Sequence, residues 1–323
     1  MDIISQIKKT VLPEFADYEQ YFSRMLETDN VYLKHVLEYV RTRRGKQLRP
    51  LLVLLAAKLC GKITETTIQL AVSVELLHTA SLLHDDVVDS SLLRRGQASV
   101  NAEWNNKTAV LVGDYLLAKS LELGVGTSNP QALKEITKIG QRLASGELLQ
   151  LYSEWKSNPE ESVYFEIIKQ KTAALFNSCM QIGAISVGAN DEDCKTLGAF
   201  GEYLGICFQL KDDYFDFQAK DETIGKPVMS DVKEGKITLP LLVALRNAPM
   251  EESDYIKQQL QLKQIEDINA IHEFVVKNNG LTYTVEKMND YKVLASQIIE
   301  KFTPSTASNA LSELLSYAIE RTI

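Results

Sequence analysis

Leu82-Leu83-His84-Asp85-Asp86-Val87-Val88-Asp89 closes a long apolar stretch, and its order returns as Phe208-Gln209-Leu210-Lys211-Asp212-Asp213-Tyr214-Phe215-Asp216. Apolar residues recur at helical spacing in both places, so about Thr64 to Asp89 and about Asp191 to Phe217 read as two long helices. Residues i and i+4 share a helix face, which stands Asp85 over Asp89 and Asp212 over Asp216, with Asp86 and Asp213 flanking them. Three carboxylates within one turn repel one another, and a folded chain tolerates them best around a cation. Both helices are apolar on most sides and must be buried along their length, leaving the acidic ends at a mouth. Gly198, Gly201 and Gly205 give the second helix a row of small residues for close helix contact. The two helices are expected to face each other above an apolar shaft.

Working outward, no proline falls between Pro50 and Pro130 or between Pro159 and Pro227, which favours long helices. Ser128-Asn129-Pro130 and Ser157-Asn158-Pro159 read as helix starts, with Asn as cap and Pro in the first turn. Alternating β-type patterns are scarce, and no low-complexity spacer interrupts the chain. The expected fold is all-α, a single-domain helical bundle over residues 1–323 with a central apolar cavity.

The chain's 323 residues are ample for a sizeable core, and 24% charged with 45% hydrophobic residues exclude widespread disorder. A formal charge of −8 disfavours a nucleic-acid partner. Four cysteines without CxxC pairing read as reduced core thiols. With no charged-then-apolar leader and no uninterrupted apolar run of ~18 residues, a transmembrane segment is not expected and a cytoplasmic location is.

Carboxylate oxygens suit Mg²⁺, which keeps part of its hydration and is commonly held by a few carboxylates plus substrate phosphates. Two acidic helix ends therefore point to a phosphate ester. Cations for a second, metal-free phosphate site stand in Gly45-Lys46-Gln47-Leu48-Arg49-Pro50, a loop before a helix begun near Pro50, and in Arg94-Arg95-Gly96, which follows the short loop Ser90 to Leu93. Arg offers bidentate contacts and Lys a point charge. Lys171-Thr172 sits mid-helix. Gly225-Lys226-Pro227, with Asp231 to Lys236, forms a polar loop able to close over bound phosphate. Among the histidines, a neutral His78 can donate to a diphosphate oxygen and His84 supports the adjacent cluster, while His35 and His272 are structural or surface residues.

Those elements, together with Gly113-Asp114-Tyr115-Leu116 and Gly146-Glu147, follow one another in the order found in a known family. The chain resembles the trans-isoprenyl diphosphate synthases, or polyprenyl synthetases, over nearly its whole length. The resemblance implies about three Mg²⁺ ions on Asp85, Asp89 and Asp212, with Asp86, Asp213 and Asp216 as nearby or water-mediated partners. It implies that Arg94, Lys171, Gln209, Lys226 and Lys236 grip an allylic diphosphate, and that Lys46, Arg49, His78 and Arg95 bind isopentenyl diphosphate. Thr172 and Gln209 would lie close to the developing carbocation. A homodimer is implied too.

Product length is read from the residues before Asp85. Ala80 and Ser81, with Leu77 below, are not bulky aromatics, and the resemblance associates small residues here with long products of about six to eight isoprene units, C30–C40, as used for quinone side chains. The helix through Tyr115 to Leu123 is a candidate floor of the shaft. A class I terpene cyclase shares the helical fold, but the second intact acidic motif and the cations for a co-substrate argue against it. A short-chain geranylgeranyl or farnesyl diphosphate synthase, and a catalytic subunit of a heteromeric synthase, are also compatible with these motifs.

Overall fold

Helix Glu65–Val88 starts where Thr64 caps it: the Thr64 hydroxyl accepts from the Thr67 amide and the Thr67 hydroxyl accepts from the Thr64 amide. In the computed structural model, which describes residues 2–43, 45–156, 160–218, 229–261 and 267–321, this helix is apolar round its circumference and buried through most of its length. By length and hydropathy it could cross a bilayer, yet 72% of its most apolar window is buried inside the protein, as befits a core helix. Apart from a two-stranded hairpin, the regular structure among the described residues is helical, as expected.

Two compact units emerge, each built from separated segments of chain. The first comprises Met1–Gln141, Leu175–Gly201 and Ile298–Leu314; the second comprises Arg142–Ala174, Glu202–Gln297 and Leu315–Ile323. In the first unit, helix Leu48–Cys60 buries a continuous run from Leu51 to Ala57. Helix Asn106–Gly126 lies along Glu65–Val88, and the fully buried Ser73 hydroxyl ties them together by donating to the Ser120 carbonyl at 2.8 Å. The second unit has its own core, in which Phe217, Val232, Leu241, Ile271 and Val275 meet.

Helix Asp191–Gln218 spans the length expected of it, and its small residues do bring a helix close. Its partner along Gly198 and Gly201 is helix Ala174–Ser186. A Cβ added at Gly201 would lie 2.4 Å from the Phe176 carbonyl oxygen, and one at Gly198 would lie 2.8 Å from Gln181 Cγ. Helix Pro130–Lys156 begins as its sequence indicates, with the Asn129 side chain accepting from the Ala132 amide at 3.0 Å. The start expected at Asn158-Pro159 lies outside the described residues. All four cysteines are free, and burial raises the thiol pKa of each, to about 12 for Cys60 and Cys207, so they are inert core groups as anticipated.

Gly201→Ala forces backbone apart rather than a flexible side chain, so it should destabilise the protein by ~1–3 kcal/mol. Thermal unfolding measures this, and an unchanged midpoint would mean that the two helices are free to separate.

Candidate active site

In the first unit the acidic cluster occupies the last turn and C-cap of its helix, which ends at Val88, one residue before Asp89. No basic residue lies in that last turn, so three carboxylates sit at the negative pole of the helix with no cation of their own element. Asp86 is 2% exposed, and Arg94 Nε and Nη2 both reach its Oδ1 at 2.7 Å. Burial raises the Asp86 pKa against the opposing pull of Arg94. Asp85 is half-buried and Asp89 exposed.

Arg94 can reach back because the segment expected as a plain loop is a hairpin. Leu93 pairs with Ala98 and Arg94 with Gln97, leaving Arg95 (φ 54°) and Gly96 (φ 74°) as a two-residue turn with both residues left-handed. Asn101 secures the approach by donating to the Asp86 carbonyl at 3.2 Å and the Ser91 carbonyl at 3.1 Å. Arg95 donates from Nη1 to the Arg43 carbonyl at 3.0 Å, its guanidinium lying where a Gly45 side chain would be: a Cβ there would meet Arg95 Nη2 at 2.4 Å. Arg49 stands in the first turn of helix Leu48–Cys60, not in the preceding loop, while Lys46 is exposed.

Arg43, Gly45, Asp86, Arg94 and Arg95 border a cleft that also takes in Tyr39, Glu75 and His78. His78 is buried, and burial followed by Arg49, Arg95 and Arg94 pushes its pKa well below the ordinary value, so the imidazole is neutral. Glu75, a buried carboxylate one turn before His78, escapes the sequence reading, although a lone acid inside an apolar helix is its signal. His84 does not support the acidic cluster as expected. Its Nε2 lies 3.2 Å from the Val110 carbonyl and 3.4 Å from Asp114, in the space left by Gly113. Leu77 and Ala80 are buried, and Ser81 donates to the His78 carbonyl at 2.9 Å.

The second unit repeats the plan with other partners. Asp213 is 2% exposed and accepts from Tyr164 Oη at 2.5 Å and from Gln209 Nε2 at 2.8 Å; Thr172 in turn donates to Gln209 Oε1 at 2.7 Å. Burial and the nearby Asp231 work against those donors and raise the Asp213 pKa from the ordinary carboxylate range. Asp212 pairs with Arg321 at 2.7 Å, whose guanidinium stacks 3.9 Å from the Phe208 ring centre. Asp216 accepts from the Asp231 amide at 3.0 Å and so caps helix Ser230–Glu234.

Lys171 and Thr172 occupy a π-helical turn, Lys169–Ala173, rather than regular helix, a departure frequent at functional positions. Lys171 ion-pairs with Glu147 and donates to Gln150 at 2.8 Å; a side chain at Gly146 would strike Gln170 and Lys171. Lys236 pairs with Glu234 at 2.8 Å, after Gly235 ends the short helix. Lys226 lies outside the described residues. Among the described residues, no three His, Cys, Asp or Glu side chains converge tightly enough to enclose a metal on their own.

Comparison with known proteins decides the family, since the sequence model of Polyprenyl synthetase matches residues 30–277. The chain belongs to that family. It is 35% identical over 322 residues to the all-trans-nonaprenyl-diphosphate synthase (geranyl-diphosphate specific) of Rhodobacter capsulatus, covering 99% of each chain. Among solved structures it is similar to a polyprenyl synthase of Caulobacter crescentus CB15 complexed with calcium and isoprenyl diphosphate (TM-score 0.92, 33% identity, 99% and 98% coverage). It also resembles a geranylgeranyl pyrophosphate synthase of Bacteroides thetaiotaomicron (TM-score 0.86, 38% identity, 99% and 100% coverage). This polyprenyl synthetase is thus a trans-prenyl diphosphate synthase whose relatives span short and long products.

Proposed function

We propose that the chain condenses isopentenyl diphosphate with an allylic diphosphate such as farnesyl diphosphate, in a Mg²⁺-dependent head-to-tail elongation giving a long-chain product of about C30–C40. One observation carries the reading. Asp86, the middle carboxylate of the first acidic motif, lines a cleft where Arg94, Arg95 and neutral His78 gather.

The fit to a divalent cation rests on the helix ends. Carboxylates at the negative pole of a helix lower its stability, and an added cation relieves them. Asp212 already draws a cation from the chain itself, Arg321. Asp85, Asp89, Asp212 and Asp216 are the groups that would hold magnesium, with water and phosphate oxygens completing its ligands. The Caulobacter relative bound with calcium and isoprenyl diphosphate supports the same chemistry. Bound magnesium would neutralise charge growing on the leaving diphosphate as the allylic C–O bond breaks.

The chain's own residues do the rest. Arg94, anchored on Asp86, presents its remaining donors beside the allylic diphosphate, and Lys171 exchanges Glu147 for phosphate. Arg95, braced by Gly45 and the Arg43 carbonyl, and His78, neutral and therefore able to donate one N–H, hold isopentenyl diphosphate with Lys46 and Arg49. Thr172 and Gln209 face the developing cation. The apolar wall of Leu77 and Ala80 keeps water from quenching that cation.

The absence of bulk at Ala80 and Ser81 supports a long product, as do the nonaprenyl and octaprenyl synthases among the relatives. Exposed Leu111 and Val125 on helix Asn106–Gly126 support a homodimer.

Incubation with farnesyl and isopentenyl diphosphates plus Mg²⁺, followed by mass analysis of the prenyl alcohols, should show products of C30 or longer; products stopping at C20 would identify a short-chain synthase. Asp85→Ala should lower turnover at least about a hundredfold. Replacing Ala80 by Phe should shorten the product, and an unaltered product would remove Ala80 from the path of the chain.

A further inference from the structure

Tyr164 has no part in the roles proposed so far, yet it donates the shorter of the two hydrogen bonds that hold the buried Asp213 carboxylate. Its ring is 7% exposed, and burial followed by Asp213 pushes its phenol pKa well above the ordinary value, so the hydroxyl keeps its proton and donates. The bonds form a chain of fixed polarity, in which Tyr164 Oη donates to Asp213 Oδ2, Gln209 Nε2 donates to Asp213 Oδ1, and Thr172 Oγ1 donates to Gln209 Oε1. A primary amide has a donor end and an acceptor end, and a hydroxyl has one proton. Once Asp213 takes the NH₂ end of Gln209, the carbonyl end must face Thr172, and the Thr172 proton is committed to it. The Thr172 lone pairs then point away from Gln209.

We propose that Tyr164 is a positioning residue for the condensation: by pinning Asp213 it fixes the Gln209 amide and, through it, turns the electron-rich side of the Thr172 hydroxyl toward the allylic cation. This rests on the proposed function, in which Thr172 lies close to that cation. A hydroxyl presenting lone pairs stabilises a carbocation, whereas one presenting its proton does not. The π-helical turn at Lys169–Ala173 serves the same end, because it sets Thr172 in a register that regular helix would not give. Asp213 is then the hub of an oriented hydrogen-bond chain, with its carboxylate spent on protein donors.

The test is a double-mutant cycle of Tyr164→Phe and Thr172→Val on the full chain, read in two ways. With farnesyl and isopentenyl diphosphates and Mg²⁺, Tyr164→Phe should lower kcat about tenfold, with KM for isopentenyl diphosphate and the half-saturating Mg²⁺ concentration unmoved. Thr172→Val should do the same, the double variant should be no worse than the more impaired single, and Thr172→Ser, which keeps the hydroxyl, should retain activity. Urea unfolding of the wild type, the two singles and the double needs no turnover, and there the two substitutions should again be non-additive. Additive effects in both readouts, a wild-type kcat for Tyr164→Phe, or a loss confined to Mg²⁺ affinity would overturn the proposal. A wild-type protein that fails to join the two diphosphates would sink the functional reading instead, while the unfolding cycle still decides whether Tyr164 and Thr172 are coupled.

Discussion

A carboxylate at the carboxyl end of a helix faces the negative pole of the helix dipole, and the first acidic motif of this chain is built that way. The arrangement is unfavourable until something positive or proton-donating is supplied. Each unit supplies it differently. In the first, Arg94 comes back from a hairpin to Asp86; in the second, Arg321 meets Asp212, and Tyr164 with Gln209 holds Asp213. The middle aspartate of each motif is turned inward and spent on the protein.

The same economy organises the cationic cleft. Three arginines around one imidazole would repel a fourth positive charge, and that repulsion, added to burial, keeps His78 neutral. Glu75 offsets part of the charge on Arg95 from the buried side. The cleft is therefore electropositive without a proton on its histidine, a state matched to an anionic substrate and still able to offer an N–H.

Much of this is legible in the amino-acid sequence, because the signals are periodic or compositional. The helices through Asp85 and Asp212, the Asn129 cap, the reduced cysteines and the close approach at Gly198 and Gly201 follow from spacing and residue size. What stays hidden depends on partners distant in the chain. The hairpin at Leu93–Ala98 is two residues per strand, too short to alternate visibly. Nothing in the spacing of Lys171 and Thr172 announces a π-helical turn, and the turning of His84 toward Val110 depends on the void at Gly113, on a different helix. Tyr164 reads as one more aromatic in an apolar segment until Asp213 is placed against its hydroxyl.

Arg95 carries a further consequence. A left-handed backbone suits glycine, and an arginine there costs of order 1 kcal/mol that the hairpin must absorb. The tip of this ribbon has thus been left less robust than it could be, and a glycine in place of Arg95 would firm the turn while stripping the cleft of a guanidinium. Backbone ease and the cleft's positive charge are set against each other at a single α-carbon, so variants selected only for heat tolerance would tend to lose that charge at this position.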